Sequence, residues 1–184
     1  MIISFLLSVI IVIFLITTYN RLIKNRNNVQ ASFSTVDVML KKRHDLIPNL
    51  VASVKSIMNH EKSLLEKVTS LRSEAVQANN FKEKEKVENA LSSLLGQLQV
   101  TMENYPEVKA DKNVLQLQAA LNDVEEQISA SRRIYNNAVK RYNNSIQTAP
   151  SNIIANLFSF KAMDFFEVAL PERENVNVEQ MFKS

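Results

Sequence analysis

Apolar residues are laid out along this chain in two different patterns. Met1 to Thr18, MIISFLLSVIIVIFLITT, is apolar on every face and carries no charged side chain. From Val29 onward, apolar residues return at alternating steps of four and three. They are Val29, Phe33, Val36 and Leu40, then Ile47, Leu50, Val54 and Ile57, then Leu64, Val68, Leu71 and Ala75, with Arg43 and Glu61 the only interruptions. A sustained 3.5-residue period is the mark of a helical bundle or coiled-coil seam. The rhythm recurs at Val87, Leu91, Leu94, Leu98 and Thr101, and again from Val114 through Leu121, Ile128 and Tyr135 to Tyr142 and Ser145. No stretch alternates with period two, so no strand is expected.

These seams predict an all-α fold: an elongated antiparallel bundle of three long helices and a short C-terminal helix, behind one N-terminal transmembrane helix. A helix over Val29–Ala78 would be about 75 Å long and one over Asp111–Thr148 about 57 Å. Asn79-Asn80 separates the first two, Tyr105-Pro106 ends the second and Ala149-Pro150 ends the third, because the residue before proline avoids the α region. Asp111 and Ser151 are the expected N-caps of the third helix and of the segment after it. Pro48 falls inside the first seam, where it removes a backbone hydrogen bond, so a kink is expected there, with a full break as the alternative. Residues 1–19 make the anchor, 20–168 the helical domain and 169–184 a frayed or extended tail.

At 1.5 Å per residue, about 18–20 residues cross a hydrocarbon core roughly 30 Å thick. A cleaved signal peptide would open with a basic region and close at a small-x-small site, and neither is present here. Tyr19 stands where an interfacial aromatic belongs. Arg21, Lys24 and Arg26 follow the span and nothing basic precedes it beyond the free amine, so the N-terminus is expected outside and the body in the cytoplasm. No Gly or Pro occurs in Tyr19–Gln30, so the span should run into the first long helix without a linker.

Composition narrows the chemistry. The 184 residues include one Gly, four Pro, no Cys and no Trp. A single glycine argues against phosphate loops and dinucleotide folds, and against a nucleophile elbow. Zero cysteine removes disulfides, thiolate nucleophiles and Cys-ligated metals. A net charge of +3, with the basic residues spread among acids, does not point to nucleic acid. Gly96, mid-helix in Leu94-Leu95-Gly96-Gln97-Leu98, is expected to mark close helix packing.

Several segments together resemble a known family. Lys41-Lys42-Arg43-His44-Asp45-Leu46-Ile47-Pro48-Asn49-Leu50-Val51 is similar to the signature of the LemA family. So are His60-Glu61, Tyr105-Pro106, Ser131 through Val139 (SRRIYNNAV) and Tyr142-Asn143, in the same order and over nearly the whole chain. The resemblance implies a bacterial membrane protein with a helical-bundle domain. It implies no defined biochemical role, although a relative takes part in making magnetosome membranes.

The candidate residues read as structural or interaction positions. Arg43 and Glu61 would stand about 27 Å apart on one helix and so need partners elsewhere, for which Glu125 and Arg132 beside the third seam are the candidates. His44 and His60 would face about 160° apart, too far for a shared metal on a continuous helix. Neither an H-E-x-x-H nor facing Glu-x-x-His pairs occur, so no metal and no cofactor are expected. Tyr135-Asn136 and Tyr142-Asn143 repeat at seven residues, which puts both tyrosines on the seam as core groups with a hydrogen-bonded tip. Asn136 and Asn143 flank it, placed to bond a neighbouring helix. Asp45, Pro48 and Asn49 complete the signature. Ile153, Ile154, Leu157, Phe158, Phe160, Phe165 and Phe166 are either a contact patch or the closure of the bundle end.

With no nucleophile–base pair and no small-molecule substrate in view, the expected role is non-enzymatic. It is a membrane-tethered protein whose partners are the lipid bilayer and either its own copies or another membrane protein. The alternative is a membrane-bound enzyme, or an accessory subunit of one, with a cryptic site.

Overall fold

A computed structural model describes residues 1–167. Every regular element among them is helical: α1 (Ile2–Val54), α2 (Lys62–Gln77), α3 (Phe81–Met102), α4 (Pro106–Ala110), α5 (Lys112–Gln147) and α6 (Ser151–Leu157), with a 3₁₀ turn at Asn59–Glu61. The fold is therefore an all-α bundle. The expected C-terminal tail, 169–184, lies outside the described residues.

The first helix joins the two sequence patterns without interruption. Its opening stretch has mean hydropathy 2.7 with 6% of the window buried, long and apolar enough to cross a membrane. The few polar groups there are satisfied within the helix: Ser8 Oγ donates to the Ser4 carbonyl and Thr17 Oγ1 to the Ile13 carbonyl, each at 2.8 Å. That is what a hydrocarbon environment requires of a hydroxyl. Burial begins at Thr18 and Leu22, directly after the exposed run, and continues at Val29, Val36 and Leu40. No linker separates span from bundle.

Pro48 neither ends nor breaks α1, which continues to Val54. The chain reverses later, through Lys55–Met58 and the 3₁₀ turn, so the expected Val29–Ala78 helix is two helices. The turn is held by Met58 N–H donating to the Val54 carbonyl at 2.8 Å and by Glu61 N–H donating to the Met58 carbonyl at 3.0 Å, with Met58 itself buried. Asn80 caps α3 by accepting from Glu83 N–H at 2.9 Å, and its amide donates to the Glu83 carboxylate at 3.0 Å, a reciprocal cap. Asp111 caps α5 through Asn113 and Val114 N–H. Ser151 does not cap α6; its hydroxyl donates back to the Thr148 carbonyl. The short C-terminal helix, α6, stops at Leu157, and residues 160–167 carry no regular secondary structure.

Two compact units divide the chain. In the first, Met1–Lys42 with Asp123–Phe165, the α1 and α5 seams meet: Val29, Val36 and Leu40 are buried, as are Val124, Ile128, Tyr135, Ala138 and Tyr142. Phe33 packs on Tyr135 with ring centroids 5.7 Å apart. In the second, Arg43–Asn122 with Phe166 onward, Ile47, Leu50 and Val54 pack with Leu64, Val68, Leu91, Leu98 and Leu121. There α2 and α3, joined by three residues, lie against each other.

Gly96 does not mark a close approach. It sits on the exposed face of α3 with open space where a Cβ would project. Glycine there carries only the entropic cost of an unrestricted backbone. Gly96→Ala should therefore raise stability by about 0.5–1 kcal/mol, read from urea unfolding of the full chain in detergent. A destabilised variant would mean that this face is packed.

Candidate functional site

The two charges that interrupt the first seam find partners that the seam pattern did not name. Arg43 is fully buried, and its guanidinium meets the equally buried Glu88 carboxylate of α3, the Glu88 carbonyl at 3.3 Å and the Ser92 hydroxyl. His44, the next residue, places Nε2 3.0 Å from the other Glu88 oxygen. Burial alone would push the Glu88 carboxyl up. The His44 hydrogen bond and the Arg43 and His44 charges outweigh that and hold it below its ordinary range. Within the second unit, Glu88 and Ser92 answer Arg43. The signal for Glu88 lay in a seam shifted by one: Glu88, Leu91, Leu95, Leu98 and Met102 also alternate by three and four, and an acid on it matches the base on α1.

Pro48 explains a second contact. Lacking an N–H, it leaves the carbonyl four residues earlier, that of His44, without its helical donor. Arg72 of α2 supplies one, with Nε 3.1 Å from the His44 oxygen. Residues 43 to 48 therefore fasten α1 to α3 through two side chains and to α2 through one carbonyl. Asp45, Pro48 and Asn49 lie on the outer, exposed face of this turn.

The remaining candidates separate. His60 is exposed in the 3₁₀ turn while His44 is buried on α1. Glu61, half-buried, accepts from the Tyr105 hydroxyl at 3.3 Å. Burial and this carboxylate push the Tyr105 phenol up. Glu125 and Arg132 are half-buried on α5 in the first unit. Among the described residues no group of three His, Asp or Glu is placed to hold a metal ion. A groove of about 370 Å³ opens between the end of α1 and the start of α2, with Val51, Met58 and Leu65 in its wall and Lys55, Lys62 and Glu66 around it.

Tyr135 and Tyr142 are buried with hydrogen-bonded tips, as their seam positions predict. With Asn143 they hold a strap, residues 161–164, that has no regular secondary structure. Tyr142 donates to the Lys161 carbonyl at 2.9 Å and Tyr135 to the Asp164 carbonyl at 3.0 Å. Asn143 makes a two-point bond to Met163, donating to its carbonyl at 2.9 Å and accepting from its N–H at 3.0 Å. Its amide thereby satisfies both backbone polar groups of a residue outside any helix. Burial pushes the Tyr142 phenol up, and the Arg26 charge partly offsets this. Asn136 is half-buried on the same helix. Of the C-terminal apolar residues, Ile154 and Phe166 are buried, while Phe158 and Phe165 are exposed.

Three outcomes follow for the signature. Arg43→Met strands Glu88 with His44 alone and should cost about 3 kcal/mol, much of it recovered when Glu88→Leu is added. Equal unfolding midpoints for wild type and Arg43→Met would contradict the pairing. The unfolded chain takes up the Glu88 proton first as pH falls. This contribution is therefore complete above the ordinary value of 4.5 and is lost as pH drops through the folded value, so Glu88→Gln should flatten the acid limb of stability. Arg72→Met should cost about 1–2 kcal/mol, and less beside Pro48→Ala, which returns an N–H to the His44 carbonyl. A double-mutant cycle with no coupling would refute that link.

The sequence model of the LemA family matches residues 32–180. Protein LemA of Metamycoplasma hominis is 26% identical over 163 residues, covering 88% of this chain and 74% of that protein. Magnetosome protein MamQ 2 of Paramagnetospirillum magneticum is 26% identical over 196 residues, covering 91% of this chain and 71% of that protein. Magnetosome protein MamQ of Magnetospirillum gryphiswaldense is 25% identical over 193 residues, covering 87% and 70%. The family match takes in Arg43, His44, Pro48, Arg72, Glu88 and both Tyr-Asn pairs, and on it the chain belongs to the LemA family.

Proposed function

We propose that this chain is a single-pass protein of a bacterial cell membrane that works by binding, to its own copies or to another membrane protein, and not by catalysis. The observation that carries the reading is the fate of the signature's ionisable groups. Arg43 and Glu88 are both 0% exposed and are committed to each other, so this cluster fastens helices and offers nothing to a substrate. A catalytic acid or base must reach the proton it moves. The likeness to magnetosome proteins supports a part in organising a membrane.

The orientation proposed is N-terminus outside and bundle inside. Arg21, Lys24 and Arg26 follow the span and are its only nearby charges apart from the free amine. Copies confined to one bilayer meet at high effective concentration, so modest lateral contacts suffice.

Protease added to intact cells should leave the bundle whole and should cut it only after lysis. Digestion without lysis would reverse the orientation. In native-like lipid discs, mass measurement should find more than one copy per assembly. A monomer at working concentrations would sink self-association.

A further inference from the structure

We propose that α6 is a second membrane contact, with Ile153, Leu157 and Phe158 seated in the headgroup–acyl boundary of an anionic leaflet beside the point where α1 leaves it. The inference rests on the reading of α1 as a membrane span and adds to it a surface that no span requires.

The position of α6 comes from contacts within the first unit. Phe33 of α1 meets Tyr135 of α5, so α5 runs back toward the span. It ends at Gln147, and the chain turns at Ala149-Pro150 into α6. Phe158, at the end of α6, then packs on Tyr19 with ring centroids 4.7 Å apart, and Phe160 lies 6.0 Å from the same ring. Tyr19 is the first residue after the apolar run and belongs at the membrane interface. A helix in contact with it lies at that level too.

The exposed face of α6 fits that place. Ser151, Ile154 and Ala155 are buried against the bundle, while Ile153 and Leu157, one turn apart, are 69% and 74% exposed and Phe158 is 55% exposed. Two large apolar groups on a seven-residue helix and a third at its C-cap are unlike the singly scattered Val38, Val76 or Ile134. The backbone is prepared for a poorly hydrated setting. Phe160 N–H donates to the Ala155 carbonyl at 2.9 Å and Ser159 N–H to the Asn156 carbonyl at 3.1 Å, a closed C-terminal cap with Ser159 at φ 56°. Charge names the lipid. Neither Met1–Val36 nor residues 127–163 contain an Asp or Glu, while Arg21, Lys24, Arg26 and Lys161 are all exposed there. An apolar face with exposed basic residues beside it suits an anionic interface.

The absence of cysteine allows a direct test on the full chain. Single substitutions Ile10→Cys, Leu157→Cys and Val38→Cys carry an environment-sensitive fluorophore in vesicles of phosphatidylcholine and phosphatidylglycerol. Val38 is exposed on α1, about 33 Å along the helix from Ile16, and reports water. The Leu157 label should emit to the blue and lose most of its emission to lipids bearing a shallow nitroxide. Ile153→Asp with Phe158→Asp should abolish that quenching while helical content is kept. Quenching should also weaken when phosphatidylglycerol is left out. A quenched Ile10 label with an unquenched, water-like Leu157 label overturns the contact alone. A blue-shifted Leu157 label that ignores lipid nitroxides overturns it in favour of burial against a second copy. An unquenched Ile10 label overturns the span itself, and the α6 contact with it.

Discussion

A carboxylate sealed from water has to be neutralised where it stands, and Glu88 imposes that requirement on the second unit. It takes a guanidinium on one oxygen and an imidazole on the other, from the consecutive residues Arg43 and His44. Neighbouring helical residues point about 100° apart, so one carboxylate can receive both only if it sits in the angle between them. That fixes α3 against α1 in rotation as well as in register. An apolar seam with a 3.5-residue repeat is nearly unchanged by a slip of seven, whereas a buried charge is satisfied at one register only.

The proline works on the same turn from the opposite side. Inside a helix it normally costs a hydrogen bond and strains the turn before it. Here the carbonyl it frees is put to use, because Arg72 of α2 docks on it. The defect in one helix thereby becomes the recognition point for the next. This is why Pro48 does not end α1, and why the reversal comes later, at residues that carry no proline or glycine.

The seams were legible and the hairpin was not. Of the positions read along α1 and α2, all are buried or half-buried, from Val29 to Ala75, and the same holds along α5 from Val114 to Ser145. Periodicity records which face is apolar. It does not record direction, and Leu50, Val54, Ile57, Glu61 and Leu64 keep their spacing straight through the turn. The site was half legible. Arg43 and Glu61 stood out as charges on an apolar seam, but their partners lie on other helices, and a partner is set by packing, not by spacing. Glu88 was hidden by the Lys82–Lys86 charge run just before it, which reads as a solvated face. Arg72 was hidden because what it binds is a backbone carbonyl, and only the proline four residues on betrays that.

This chain pairs its seam polar groups internally and leaves part of its apolar surface exposed. Its seam polar groups are answered from within: Arg43 by Glu88, Glu61 by Tyr105, and Tyr135, Tyr142 and Asn143 by the backbone of the strap. The exposed large apolar side chains are distributed otherwise. Among the described residues, Val38, Val76, Val100, Leu115 and Ile134 stand singly, and the rest fall in two groups, residues 1–16 and the C-terminal set Ile153, Leu157, Phe158 and Phe165. The first group is the span. Phe158 of the second touches Tyr19, the residue that follows the span. An aqueous surface gives no reason for those two groups to converge. A bilayer does, because a helix leaving hydrocarbon passes a boundary layer in which apolar bodies with basic edges are stable and carboxylates are not. The acid-free sequence on both sides of that contact follows from the same physics, and it ties the anchor and α6 to one membrane surface.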